Sequence, residues 1–473
     1  LSISEADIRQ IVAQVIGKLQ NESVTPNQGD ALVTYEHGVF ATVNEAVDAA
    51  SLAFGKFSLL SLAQRDLIIR KMRETSLAHA AEWAELAVKE TGLGRVPDKI
   101  AKNKLAAEKT PGIEDLFSQS VSGDNGLTLL ECSPFGVIGS ITPTTNPAAT
   151  IINNSISMVS AGNAVVYNPH PSAKKVSIKA MQLLNQAIVA AGGPENMLTS
   201  VLLPTLDTSE QLMKHPNIQA LVVTGGGAVV KAALTSGKKV IAAGPGNPPV
   251  VVDETADLGQ AGRDIVLGAS FDNNVLCTAE KEVFVVESVA NSLKAEMTKN
   301  GAYELKGYQL TKLLDLILTK HPEKEKYFPN KDYVGKDASY ILKALGIQTD
   351  ESTKLIIAET PENHPLVYTE MLMPVLPIVR VPNVDTAIRC AVKAEKGNRH
   401  TAIMHSQNIS HLTKMAKALQ ATIFVENGPS YAGLGFGGEG FTTLTIAGPT
   451  GEGLTSARTF TRKRRVVLVN KET

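Results

Sequence analysis

Residues 220–253, ALVVTGGGAVVKAALTSGKKVIAAGPGNPPVVVD, pass through a short apolar strand, a glycine turn, a helix, a second strand and, beyond a Gly/Pro-rich turn, a third. Short apolar strands alternating with helical stretches indicate βαβ units and a parallel sheet. The pattern extends upstream. NAVVYNP (163–169) reads as a strand and 173–191 as a helix, while LTLLECS and GVIGSI, from residue 127, read as two strands broken at Pro134-Phe135-Gly136. Residues 42–109 are helical in pattern throughout. A second α/β region runs from about 253 to 440, with strands expected at 282–286, 354–359, 375–381 and 421–427. The tail TFTRKRRVVLVN reads as a final strand, with the RKRR run (462–465) as its solvated end.

With 473 residues, the chain is expected to form two to three α/β domains whose core needs no disulfide or structural metal. A net charge of −1 gives no electrostatic case for nucleic acid or an anionic membrane as partner. Cys132, Cys277 and Cys390 are far apart and in no metal spacing, and the nine histidines form no ligand cluster, so no metal is expected. No run of about 18 apolar residues or signal peptide is seen, which reads as cytoplasmic. Residues 4–20 stand apart. Ser4 and Asp7 make a capping signature, and Ile8, Ile11, Val12, Val15, Ile16 and Leu19 form one helical stripe before the polar linker at 21–30. Such a helix packs on the main body or docks on a partner.

Four segments carry candidate chemistry. PFGVIGSITPTTNP (134–147) ends a strand in a Pro-rich turn that exposes the amide of Asn146. VVTGGGAVVKAA (222–233) places Thr224 and the glycines Gly225, Gly226 and Gly227 at a helix start, where backbone can approach a phosphate. It is not a full dinucleotide fingerprint, because Val230 occupies the last glycine position. SFDNNVLCTAEKEVFV (270–285) sets Cys277 between a polar turn and a strand, a placement for a thiolate nucleophile or for a buried structural cysteine. YTEMLMPVLPIVRV (368–381) holds Glu370 in a loop before a strand, as a hydroxyl-binding carboxylate would be.

Together and in this order, the four segments resemble the aldehyde dehydrogenase superfamily across nearly the whole chain from about residue 31. ITPTTNP, VVYNPHPSAKK, TGGGAVVKAA, GPGNPPVVVD and GEGLTSARTFTR resemble its coenzyme-A-acylating branch, particularly the propionaldehyde and acetaldehyde dehydrogenases of bacterial microcompartments. The resemblance implies Cys277 as nucleophile and Asn146 as oxyanion donor alongside the Cys277 N–H. It implies Glu370 on the nicotinamide ribose, Thr142, Pro143 and Thr144 beside the nicotinamide, and the 224–227 turn by the pyrophosphate. Asn168, Pro169 and His170 fall where relatives contact the adenosine end. A neutral Asn168 in place of a lysine favours NAD over NADP.

One departure bears on the second substrate. Hydrolytic relatives carry a general-base glutamate where, counting back from Pro249, this chain has Ala243. Without that base, water attack on a thioester loses roughly 10²–10⁴-fold, whereas a thiol attacks without it. The reading is therefore an NAD-linked oxidation of propionaldehyde or acetaldehyde with coenzyme A as acyl acceptor. The alternatives are a hydrolytic NAD(P)-dependent enzyme recruiting Glu280 or Glu282, and an idle scaffold protein. The resemblance also implies a Rossmann-type nucleotide-binding domain (31–120 and 134–245), a catalytic domain (246–455) and oligomerisation strands (121–133 and 456–473) that make a homodimer or homotetramer. It further implies that 4–20 is an encapsulation peptide for shell proteins, with the enzyme inside a microcompartment.

Overall fold

The computed structural model describes residues 35–320, 326–350 and 352–470. The expected helix at 4–20 and the linker at 21–30 lie outside the described residues. Two parallel sheets organise the rest. The first has six strands in the order Val39–Phe40, Leu198–Val201, Ala164–Pro169, Val137–Thr142, Ala220–Thr224, Lys239–Ala243. Successive strands are added to one side of Val137–Thr142 and then to the other, a switch point that in such sheets opens a crevice at the carboxyl ends of the central strands. The second has seven strands in the order Ala302–Leu305, Leu355–Glu359, Val375–Val381, Glu282–Val286, Pro249–Val252, Thr401–His405, Ile423–Glu426. Residues 244–248 carry the chain from the last strand of the first sheet to the centre of the second.

Local sequence explains the helices that flank the crevice. Val43–Phe57 starts at a capping box between Thr42 and Glu45 and buries Val43, Ala46, Val47, Ala50, Ala53 and Phe57 along one stripe. Pro147–Ser160 has proline at its first position, where the missing N–H costs nothing, and every residue is buried. Most buried polar groups need a partner inside the protein. Asn154 donates to Ser140 Oγ, and Ser155 pairs with Tyr167 at 2.7 Å. Asn146 is the N-cap of this helix but makes no side-chain cap hydrogen bond, so its amide is free for another use.

Strands form at all four expected places, 282–286, 354–359, 375–381 and 421–427, the second and fourth in shorter form as Leu355–Glu359 and Ile423–Glu426. Thr401–His405, Leu198–Val201 and Ala302–Leu305 are strands that the sequence pattern did not announce. The tail strand Thr461–Val469 pairs antiparallel with Gly126–Pro134, which pairs with Gln119–Gly123, making a separate three-stranded sheet. Its RKRR run is exposed on this strand, with Arg464 paired to Glu131. Among the described residues no helix is long and apolar enough to cross a membrane.

Candidate active site

Four neighbouring strands of the first sheet end at one cavity of about 280 Å3. Val137–Thr142 leads into Pro143, Thr144, Thr145 and Asn146, and Ala164–Pro169 into His170. Ala220–Thr224 brings Thr224, Gly225 and Gly226, and Lys239–Ala243 brings Ala243, Gly244 and Pro245. The facing wall comes from the amino-terminal ends of the second sheet. Cys277 stands four residues ahead of Lys281 in the turn before Glu282–Val286, and Glu370 in the loop before Val375–Val381. The cavity thus lies between the carboxyl ends of one parallel sheet and the amino ends of another.

Cys277 owes its position to a strained and heavily pinned loop. Asp272, Asn273 and Asn274 are all left-handed, with φ of 47°, 54° and 64°. Such residues cost energy unless their surroundings hold them. Asn273 Nδ2 donates to Gly335 O and Asp337 Oδ1, and Asn274 Nδ2 to the carbonyls of Ala269 and Glu280. The buried Lys281 ammonium donates to the carbonyl oxygens of Asn274 at 2.9 Å and Leu276 at 3.0 Å, gripping the chain on the approach to Cys277. Cys277 as a whole is partly exposed and lines the cavity. Burial first, and the Glu370 carboxylate second, push its pKa up to about 11, against the pull of Lys281 and Lys102.

Asn146 projects from the N-terminus of the buried helix, the positive end of its dipole. Its Nδ2 has one protein partner, Thr145 Oγ1 at 3.2 Å, while its Oδ1 accepts from Lys102. Glu370 Oε1 accepts the Gly246 N–H at 3.4 Å, and burial raises its pKa. At the glycine turn, Cβ atoms on Gly226 or Gly227 would meet nothing within 4 Å, and Gly226 caps helix Gly227–Leu234. That open space at a helix N-terminus fits the diphosphate of a dinucleotide. Thr144 lines the cavity, and its buried hydroxyl has no protein partner. His170 Nδ1 accepts the Ser172 N–H at 3.1 Å, which leaves the ring proton on Nε2. Its ring and Gly226 also border a groove of about 750 Å3 between helices Leu206–Lys214 and Gly227–Leu234.

Other expected site residues lie elsewhere. Asn168 turns inward, donating to Ser209 Oγ at 2.6 Å and accepting from Thr208 Oγ1 at 2.7 Å, so its amide is spent on helix Leu206–Lys214. Thr142, Pro169 and Gly227 do not line the cavity, and the Thr142 hydroxyl is buried without a partner. Glu280 and Glu282 are wholly buried off the cavity, Glu280 accepting the Ser430 N–H at 2.8 Å and hydroxyl at 2.7 Å. Sequence reading passed over Lys102, Lys281 and His400. His400 is buried, with its Nε2 unpartnered and its pKa pushed down to about 4 by burial and Lys281. A Cβ on Gly246 would sit 3.3 Å from its Cγ and 2.5 Å from the Cys277 carbonyl oxygen.

Comparison with known proteins identifies the family. The aldehyde dehydrogenase family model matches residues 16–315. The acetylating acetaldehyde dehydrogenase EutE of Salmonella typhimurium is 53% identical over 469 residues, 99% of each chain. The propionaldehyde dehydrogenase of Rhodopseudomonas palustris, solved with bound CoA and an acylated cysteine, is 52% identical with a TM-score of 0.89, over 92% of this chain and 98% of that one. The propionaldehyde dehydrogenase of a Clostridium phytofermentans fucose-utilisation microcompartment is 50% identical with a TM-score of 0.89, over 92% and 99%. Two facing parallel sheets, a cysteine and an asparagine on one cavity, and identity sustained from end to end lead to one conclusion: the chain belongs to the aldehyde dehydrogenase family.

Proposed function

We propose that Cys277 and Asn146 carry the oxidation of a short-chain aldehyde to its coenzyme A thioester. The chain is a CoA-acylating aldehyde dehydrogenase, using NAD and coenzyme A. One observation supports the site assignment above others. Cys277 and Asn146 share a cavity in which, among the described residues, Glu370 is the one lining carboxylate, and Ala243 stands at the position of the hydrolytic base.

The Cys277 sulfur, as thiolate, adds to the aldehyde carbon, and the carbonyl oxygen becomes an oxyanion. Asn146 Nδ2 and the Cys277 backbone N–H donate to it, assisted by the helix dipole behind Asn146. Collapse of the oxyanion expels hydride from the same carbon and leaves an acyl thioester on Cys277. A bound nicotinamide dinucleotide supplies the acceptor for that hydride. Glu370 would hold its ribose, Pro143 and Thr144 would border its ring, and Thr224, Gly225 and Gly226 its diphosphate. The coenzyme A thiol, losing its proton, then attacks the thioester carbon and releases Cys277 as thiolate. Ala243 presents only a methyl group to that carbon's surroundings, so no side chain there activates water.

Cys277→Ser tests this in an NADH absorbance assay. Loss of turnover with folding intact is the expected result, and substantial residual turnover would sink the assignment.

Assembly and location extend the reading. The exposed apolar residues Val466, Val467, Leu468 and Val469 lie on the tail strand, whose outer edge has no neighbour among the described residues, and with Val121 and Leu127 they suit the joining of subunits in a dimer or tetramer. The segments 121–133 and 456–473 form the oligomerisation extension, with 31–120 and 134–245 binding nucleotide and 246–455 carrying the nucleophile. The apolar stripe at 4–20 and the microcompartment origin of one relative favour docking of that segment on shell proteins.

A further inference from the structure

Helix Val96–Lys109 drives two lysines into the interior behind the Pro-rich turn. Lys99 and Lys102 are 3% and 4% exposed, and both reach the same Asp272 carboxylate, itself fully buried. Two buried ammonium groups converge on this carboxylate, with Asp98 as a second carboxylate in electrostatic reach, and each costs several kcal/mol to desolvate. Lys99 alone would neutralise Asp272. It does so at 3.0 Å and spends another proton on the Thr145 carbonyl at 3.1 Å. Lys102 does something Lys99 does not: its ammonium also donates to Asn146 Oδ1.

We propose that Lys102 is the positioning residue of the oxyanion site, bridging Asn146 Oδ1 and Asp272 so that the Asn146 amide presents its N–H groups to the cavity beside Cys277. An ammonium group has donors only, so the oxygen of the amide and not its nitrogen must face it. The amide flip that would aim Oδ1 at a developing oxyanion is thereby forbidden. The nitrogen left on the cavity side has a single protein partner, Thr145 Oγ1, and therefore keeps an N–H uncommitted. Asp272 belongs to the left-handed run leading to Cys277, and its other oxygen accepts the Arg95 N–H at 2.7 Å. Lys102 thus ties the Asn146 turn of the first sheet to the nucleophile loop of the second, and it places a positive charge behind the amide, which strengthens it as a donor.

The inference rests on Asn146 being the oxyanion donor, so the experiment separates the two claims. NADH formation is measured at saturating aldehyde, NAD and coenzyme A for wild type, N146A, K102Q, K102M and the double variants with N146A. Alkylation of Cys277 by iodoacetamide is followed in parallel. N146A is expected to lower kcat by about 10²–10³-fold, the loss typical of one oxyanion donor. K102M should lower kcat comparably, with K102Q between it and wild type, because the glutamine amide keeps a shorter, uncharged donor. In the N146A background neither substitution should lower kcat beyond the modest slowing of alkylation that follows from losing a positive charge near Cys277. Multiplying losses in the double variants, or a K102M enzyme with wild-type kcat, overturns the role of Lys102 while leaving Asn146 intact. If K102M does not fold, K102Q with and without N146A reads the same coupling. A fully active N146A enzyme overturns both claims.

Discussion

Installing a carboxylate at Ala243 should let water compete with coenzyme A. Ala243 ends the strand Lys239–Ala243, its carbonyl accepts the Gly225 N–H at 3.2 Å, and its methyl group faces the cavity it shares with Cys277. In Ala243→Glu the backbone bonds stay as they are and the new side chain extends into a cavity of about 280 Å3. General-base catalysis supplies roughly 10²–10⁴-fold, equal to about 2.7–5.5 kcal/mol off the barrier. Two features set where in that range the variant should fall. Position 243 is 4% exposed, so a carboxylate there is desolvated and its pKa rises toward neutrality, which suits a base. Glu370 lines the same cavity, and a second negative charge keeps part of the population protonated. The lower end, about 10²-fold, is the expectation. The assay is the decay of the acyl-enzyme without coenzyme A, read as steady-state NADH formation and free acid by chromatography. Wild type should give a burst near one equivalent and then stop. A variant that still makes acyl-CoA but releases acid no faster than wild type would refute the reasoning that the missing base decides the acceptor.

Three further outcomes follow from the same cavity, and a fourth from the N-terminal segment. Because burial and Glu370 hold the Cys277 pKa at about 11, alkylation of the ligand-free enzyme should rise about tenfold per pH unit from 7 to 9; a plateau in that window contradicts the reading. Removing the like charge lowers the thiol pKa, so Glu370→Gln should alkylate faster than wild type at pH 8. Gly246→Ala puts a Cβ 2.5 Å from the Cys277 carbonyl oxygen, a backbone atom that must move, and a displaced nucleophile should cost on the order of 10²-fold in kcat; unchanged kcat in the folded variant would exclude that contact. Deleting residues 4–20 should leave kcat unaltered and abolish co-sedimentation with shells, whereas a fall in kcat would mean that the segment serves the main body.

Much of this molecule is legible in its sequence where apolar runs are long and bounded by turns, as in 220–224, 239–243 and 282–286. Thr401–His405 escaped because it opens on threonine after Gly-Asn-Arg-His and holds only three apolar residues. Its burial comes from Pro249–Val252 on one side and Ile423–Glu426 on the other, partners more than a hundred residues upstream and some twenty downstream. Cys277, Asn146 and Glu370 stood out as candidates because each sits in a distinctive segment and the order of segments narrows their meaning, and the structure places all three on one cavity. Lys99 and Lys102 could not. Lysines three apart in a helical stretch ordinarily mark a solvated face, and the partners that hold these inward, Asp272 some 170 residues away and the Thr145–Asn146 turn, are remote in sequence. Asn168 stands at a familiar position, but its hydrogen bonds to Thr205, Thr208 and Ser209 come from a helix nearly forty residues on, which its own segment does not announce.

A nucleophile that rests as a thiol has a bearing on how long the enzyme survives. Peroxide and stray electrophiles consume thiolates, and oxidation beyond the sulfenic acid is irreversible. A cysteine kept ionised in an open cavity would be spent between turnovers. Cys277, held protonated by its buried setting and by Glu370, is idle toward such reagents until a substrate or cofactor changes the surroundings of its sulfur. The wall that slows its ionisation is thus also its protection against wear, and enzyme stored with a ligand that shields Glu370 should lose activity to peroxide sooner than enzyme stored empty.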